Sequence, residues 1–95
     1  MLLLTKLKIV GHSMEPEIKN GTTVLATSLF YWFKNPKIGD IVAFREAEKI
    51  LIKRITKIQN EKYFLTGDNQ KDSLDSREFG FISKQKIIGK VIYKG

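Results

Sequence analysis

Lys49-Ile50-Leu51-Ile52-Lys53-Arg54-Ile55-Thr56-Lys57-Ile58, then Gln59-Asn60-Glu61, then Lys62-Tyr63-Phe64-Leu65-Thr66 is the stretch that decides the fold class. Two runs rich in β-branched and aromatic residues flank a polar turn whose asparagine tolerates positive φ, so the stretch reads as two antiparallel strands. Working outward, the same grammar recurs. Strands are expected from Lys6 to Val10, Thr22 to Thr27, Asp40 to Phe44 and Lys86 to Tyr93. Turn chemistry falls between them at Lys19-Asn20-Gly21 and at Asn35-Pro36-Lys37-Ile38-Gly39. No apolar repeat of period 3.6 persists over three turns, which leaves a mostly β fold.

A chain of 95 residues supports one core, so residues 1–95 are expected to form a single domain without linkers or repeats. The absence of cysteine excludes disulfide staples, thiolate catalysis and cysteine-based zinc sites. The first ten residues hold neither a basic region ahead of the leucines nor a long apolar run, so they read as an entering strand and not as a signal peptide or membrane span. A net charge of +7 suits nucleic acid, an anionic membrane surface, or simply a solvated lysine face.

Within the first long strand, period-two alternation places Leu51, Lys53 and Ile55 on one face. An ammonium among such neighbours is desolvated, which lowers its pKa; a shift from about 10.4 to about 8 costs roughly 3 kcal/mol. A lysine held at that cost is suited to work as a neutral amine, although one at a sheet edge can also snorkel to water.

Two further segments join this lysine. In Gly11-His12-Ser13-Met14-Glu15-Pro16 a glycine and a proline bracket a serine just after a strand. Such a bend can expose a hydroxyl and aim backbone N–H groups at one point, as a nucleophile and its oxyanion site require, though it also serves as an ordinary turn. The stretch from Gly67 to Gly80 is the longest without strand character. Its acidic residues invite comparison with a calcium loop, but counting from Asp68 the sixth and twelfth places hold Ser73 and Phe79 where glycine and glutamate are needed. Asp75 and Arg77 can instead pair and fix the course of the loop, while the Ser73 hydroxyl can orient a neutral amine. No metal or cofactor is expected.

The ordered set Gly-x-Ser-Met-x-Pro, Lys-Arg on a strand, and Gly-Asp-Asn-x-x-x-Ser-x-Asp-Ser-Arg-x-x-Gly resembles the signature of the type I signal peptidase family. Lys37-Ile38-Gly39-Asp40-Ile41-Val42 is similar to the Gly-Asp strand entry of that family, and the resemblance spans about residues 9 to 92. It implies a small β-barrel-like domain of antiparallel sheets, of the signal-peptidase and LexA-like kind. It further implies a serine endopeptidase that removes N-terminal signal or leader peptides. Ser13 would be the nucleophile and Lys53 the general base; Ser73 would bond the Lys53 amine, and Asp75 with Arg77 would brace the loop. Gly11, Met14 and Pro16 would shape the nucleophile bend, and the Ser13 N–H would be one oxyanion donor. Where some bacterial members carry a serine that supplies a second donor, this chain has Gly11. Small residues near the cut site suit the shallow pockets of the family.

Some relatives use histidine as the base, but the corresponding strand position here is Lys53, and His12 is expected to be an exposed turn residue. Leu29-Phe30-Tyr31-Trp32-Phe33, followed by Lys34, is either core filling or a site where Phe30, Tyr31, Trp32 and Phe33 meet an anionic membrane. The expected partner is a precursor protein or peptide met by a monomer, at a membrane surface or in the cytoplasm. Family members usually carry a transmembrane segment and often a second β domain. Without them the chain is expected to be a minimal peripheral enzyme, a dedicated maturation protease like the relatives beside nickel superoxide dismutase, or a fragment. The rival from another class is a non-catalytic basic β module that binds nucleic acid or anionic lipid. The lysine on an apolar face, the serine bend and the Ser-x-Asp-Ser-Arg loop together make nucleic acid the weaker partner.

Overall fold

The computed structural model of the protein describes residues 4–69, 71 and 75–95, with the backbone alone at Tyr93. Its strands are β1 (Leu4–Lys8), β2 (Thr23–Thr27), β3 (Ile41–Glu46), β4 (Lys49–Gln59), β5 (Lys62–Thr66), β6 (Ile82–Ser83) and β7 (Ile87–Lys94). All join one antiparallel sheet in the order β1-β2-β7-β3-β4-β5-β6. The mostly β expectation holds, and the β4–β5 hairpin that announced it turns at Asn60 and Glu61, both at positive φ.

The sheet is buried on both faces at its centre. One face packs Ile9, Met14, Ile18, Val24, Ala26, Ala43 and Ile52, while the other packs Val42, Phe44, Ile55, Tyr63, Leu65 and Ile82. This double burial explains why β4 lacks a clean polar face: Ile52 serves one cluster and Ile55 the other. Phe44 is fully enclosed and its ring lies 6.1 Å from that of Phe79. Truncating it to alanine would cost about 3–5 kcal/mol. The strands are bent by irregularities at Leu25/Ala26, Ala43/Phe44 and Ile55/Lys57. At Gly89 a Cβ would lie 2.6 Å from the Thr27 carbonyl oxygen, so only glycine lets β7 pass that close to β2.

Several elements differ from the sequence expectation. The first strand runs from Leu4 to Lys8 and not on to Val10, since Val10 is 90% exposed and has nothing to pack on. Phe30–Phe33 forms a single helical turn, α1, and Ser76–Phe79 forms another, α2. α1 ends at Lys34 because Pro36 follows two residues on and biases Asn35 toward extended backbone. α2 starts where the Asp75 carboxylate accepts the Arg77 N–H at 3.0 Å. A four-residue helix shows no period, so neither was visible as a pattern. A short 3-10 turn, Lys84–Lys86, leads from β6 into β7.

Candidate active site

Between β1 and β2 the chain leaves the sheet at Gly11, whose φ of +106° favours glycine over any L side chain. The turn that follows is pinned from both sides. Met14 and Ile18 are each only 1% exposed and sit in the first core cluster. On the solvent side Gly11 N–H donates to Asn20 Oδ1 at 2.8 Å, and His12 Nδ1 meets Glu15 Oε2 at 2.9 Å. The Glu15–Pro16 peptide bond is cis, and Pro16 is exposed. Ser13 is thereby held at the crown of the turn, partly buried.

Lys53 comes to it from the middle of β4. It is directly opposite Val42, which has no exposed surface, and Leu51 is opposite Phe44 on the same face. The side chain is 4% exposed, and its Nζ donates to Ser13 Oγ at 2.6 Å across 40 positions of sequence. Around it Val42 is fully buried and Leu51 half-buried, so the amine stands among apolar side chains and out of bulk water. A neutral amine at that distance is placed to accept the serine proton.

The described ends of the loop after β5 are tied to each other. Asp75 has no exposed surface; it accepts Gly67 N–H at 2.9 Å, and Arg77 Nε and Nη2 at 2.9 and 3.0 Å. Asp75 thus joins Gly67, at the end of β5, to Arg77, and its bond raises the Arg77 pKa. Ser73 lies outside the described residues.

Sequence reasoning assigned no role to Arg54, Asp68 or Asn69, and the structure gathers all three beside the turn that carries Ser13. Arg54 Nε and Nη2 each donate to Asp68 at 2.9 Å, Nη1 donates to the Gly39 carbonyl at 3.0 Å, and Glu17 lies 3.7 Å away. Asn69 donates its backbone N–H to the Ser13 carbonyl at 2.8 Å and its side-chain Nδ2–H to the His12 carbonyl at 3.1 Å. The opposite charges of Arg54 and Asp68 in two of the three motifs were the one trace of this pairing in the sequence, and nothing there marked Asn69. His12, with a side chain 57% exposed and turned to Glu15, stands on the solvent side. Its bond, followed by that from Asn20 N–H, holds the Glu15 carboxyl below its ordinary value.

A cleft of about 210 Å³ opens beside this pair, lined by Leu7 to Val10 on one side, Ile50 to Lys53 on the other, and Ser13 and Met14 at its end. Among the described residues, β1 pairs only with β2, and the first five residues of β4 pair only with β3. Both walls therefore carry backbone groups without ladder partners on their outer edge.

The aromatic run sits apart from the cleft. Leu29, Phe30, Trp32 and Phe33 are 42%, 47%, 53% and 79% exposed, whereas Tyr31 turns inward and donates to Asp40 Oδ2 at 2.8 Å. Burial, then this bond, pushes the Tyr31 pKa up. Lys90 Nζ lies 5.0 Å from the Phe30 ring centre and 3.6 Å from Asp40. Among the described residues no helix is long and apolar enough to cross a membrane, and no group of three or more potential ligands could hold a metal ion.

Comparison with known proteins agrees with the motifs. A family model described as signal peptidase, peptidase S26, matches residues 1–58 and 56–94. The signal peptidase I of Buchnera aphidicola subsp. Schizaphis graminum is 39% identical over 56 residues, covering 59% of this chain and 17% of that protein. Mitochondrial inner membrane protease subunit 2 of Schizosaccharomyces pombe is 30% identical over 108 aligned positions, covering 88% of this chain and 60% of that protein. Signal peptidase I V of Bacillus subtilis is 25% identical over 134 aligned positions, covering 86% and 80%. The matches to the two Buchnera aphidicola signal peptidases of strains Bp and Sg span only 12% and 17% of those proteins. With the family model covering nearly its whole length, the chain belongs to the signal peptidase, peptidase S26 family.

Proposed function

We propose that the protein is a serine endopeptidase that cleaves N-terminal signal or leader peptides from precursor proteins, with Ser13 as nucleophile and Lys53 as general base. The observation that carries the reading is the 2.6 Å contact between Ser13 Oγ and the Nζ of a lysine that is 4% exposed. Family membership and the names of the relatives support the reaction class.

In this mechanism the neutral Lys53 amine takes the Ser13 proton as Oγ bonds to the scissile carbonyl carbon. The carbonyl electrons move to oxygen, and the Ser13 N–H stabilises that charge. When the intermediate collapses, the C–N bond breaks and the Lys53 ammonium returns its proton to the departing amine. Water, deprotonated by Lys53, then attacks the ester; the C–O bond to Ser13 breaks, Ser13 recovers its proton, and the free carboxyl product leaves. The unpaired edges of β1 and of the first half of β4 suit an extended peptide, whose own N–H and C=O groups would complete both ladders.

Exposure of Leu29, Phe30, Trp32 and Phe33 beside Lys34, Lys37 and Lys90 supports peripheral contact with an anionic bilayer. Apolar rings enter the interface while ammonium groups meet lipid phosphate.

The test of the proposed activity is cleavage of a secretory precursor, and of fluorogenic peptides with small residues before the scissile bond, by the protein and by Ser13→Ala and Lys53→Ala. Both variants are expected to lose cleavage. Full activity in either removes the assignment.

A further inference from the structure

The two peptide groups on either side of Ser13 are both held by one residue. Asn69 Nδ2–H donates to the His12 carbonyl at 3.1 Å, and Asn69 N–H donates to the Ser13 carbonyl at 2.8 Å. The His12 carbonyl also accepts Glu15 N–H at 3.2 Å. A trans peptide group is planar, with its C=O and N–H pointing opposite ways. Fixing the His12 carbonyl therefore fixes the Ser13 N–H, which belongs to the same plane and points away from Asn69. That N–H has no hydrogen-bond partner among the described residues, whereas the neighbouring Gly11 N–H is taken by Asn20.

We infer that Asn69 is a positioning residue for the oxyanion site: its side-chain amide sets the direction of the Ser13 N–H, and its backbone N–H anchors the Ser13 carbonyl. The inference rests on the proposed role of Ser13 as nucleophile. The geometry matters here because Gly11 carries no side chain that could supply a second donor, so the stabilisation of the oxyanion leans on the accuracy of this one N–H. Preorganisation of such donors is the larger part of their effect, since a donor that must reorient during the reaction gives much of its advantage back. Asn69 in turn follows Asp68, which Arg54 holds by two bonds of 2.9 Å, so the amide that orients the N–H is itself anchored to β4 beside Lys53.

The substitutions Asn69→Ala and Asn69→Asp separate orientation from folding. Asn69→Asp keeps the shape and the backbone N–H but, ionised, presents only acceptors to the His12 carbonyl. Both variants are expected to lose about 10- to 100-fold in kcat, less than the 10²- to 10³-fold that follows outright removal of an oxyanion donor. KM for the fluorogenic peptide and the midpoint of the pH–rate profile are expected to stay those of the unsubstituted protein, because neither the cleft walls nor Lys53 has changed. A peptide boronic acid, whose tetrahedral adduct on Ser13 resembles the transition state, is expected to bind more weakly in proportion to the loss in kcat/KM. Unchanged kcat in both variants, while Ser13→Ala is inactive, overturns the role of Asn69 and leaves the nucleophile assignment standing. A fall in thermal stability with KM and pH midpoint shifted alongside kcat also overturns it, because that pattern marks a structural residue only. Activity retained in Ser13→Ala, or no cleavage by the unsubstituted protein, overturns the nucleophile assignment and the inference with it.

Discussion

Arg54 meets Asp68 through two parallel bonds of 2.9 Å, one residue along the chain from Lys53 and one residue before Asn69. The pair is partly shielded, with side chains 29% and 21% exposed, and the bond to Asp68 raises the Arg54 pKa. Lysine cannot reproduce the fork that makes these two bonds. Arg54→Lys is expected to lower stability by about 1 kcal/mol and kcat by about 10-fold through loosening of the loop. Asp68→Asn should do the same. Urea unfolding and peptide cleavage on both variants and on the double variant check this: the two losses should not add, since they remove one pair.

Lys53 is costly where it stands. Its side chain is 4% exposed, opposite a fully buried Val42. Lys53→Met keeps the length and removes the amine, so it is expected to abolish cleavage while leaving stability unchanged or raising it by about 1 kcal/mol. Thermal unfolding of the variant is the measurement. Strong destabilisation would mean that Lys53 is retained for the fold.

Acid should loosen the turn that carries Ser13 through Glu15. Its carboxyl is held below the ordinary 4.5, first by the His12 bond and then by Asn20 N–H. A carboxylate with a depressed folded-state pKa contributes stability that is fully present above the unfolded value and is lost as pH falls through the folded one. Between pH 7 and 5 the contribution of the carboxylate itself should be constant, and it should decline below about 4.5. Glu15→Gln is expected to remove that acid-side decline from the melting temperature measured against pH. An identical acid limb in both proteins would contradict it.

The fold was legible where apolar alternation ran for five or more residues. β4 and β5 were found within a residue of their ends, because a long alternating run and a polar turn leave few other readings. What escaped was short. α1 and α2 span four residues each and β6 two, too few to show a period. α2 did carry a signal in Asp75 followed three residues later by Glu78, the pattern of a helix N-terminus. At the site, Ser13 and Lys53 were legible because each breaks its local pattern: a hydroxyl in a bend bracketed by glycine and proline, and a charge in an apolar run. Arg54 and Asn69 were not, because an arginine on the polar side of a strand and an asparagine beside a turn look like ordinary surface residues until the chain closes on itself. Tyr31 could not be told from Phe30 and Trp32 by composition; only Asp40, nine positions on, turns it inward.

Membrane contact has a reporter of its own, since Trp32 is the single tryptophan and is 53% exposed. Vesicles containing anionic lipid are expected to shift its emission to the blue, zwitterionic vesicles much less, and added salt should weaken the effect. Lys34→Glu with Lys37→Glu should reduce the shift. Emission that ignores anionic vesicles would remove the docking surface.

The pairing of a buried lysine with Ser13 is tested most directly by the rate of peptide cleavage measured from pH 6 to 10. A general base must be unprotonated to act, so the rate should rise with pH as the neutral fraction of Lys53 grows. Because burial disfavours the ammonium, the rise should follow a single ionisation well below the ordinary lysine value of about 10.4. A flat profile across that range, or one centred at the value of a lysine in water, would contradict the account.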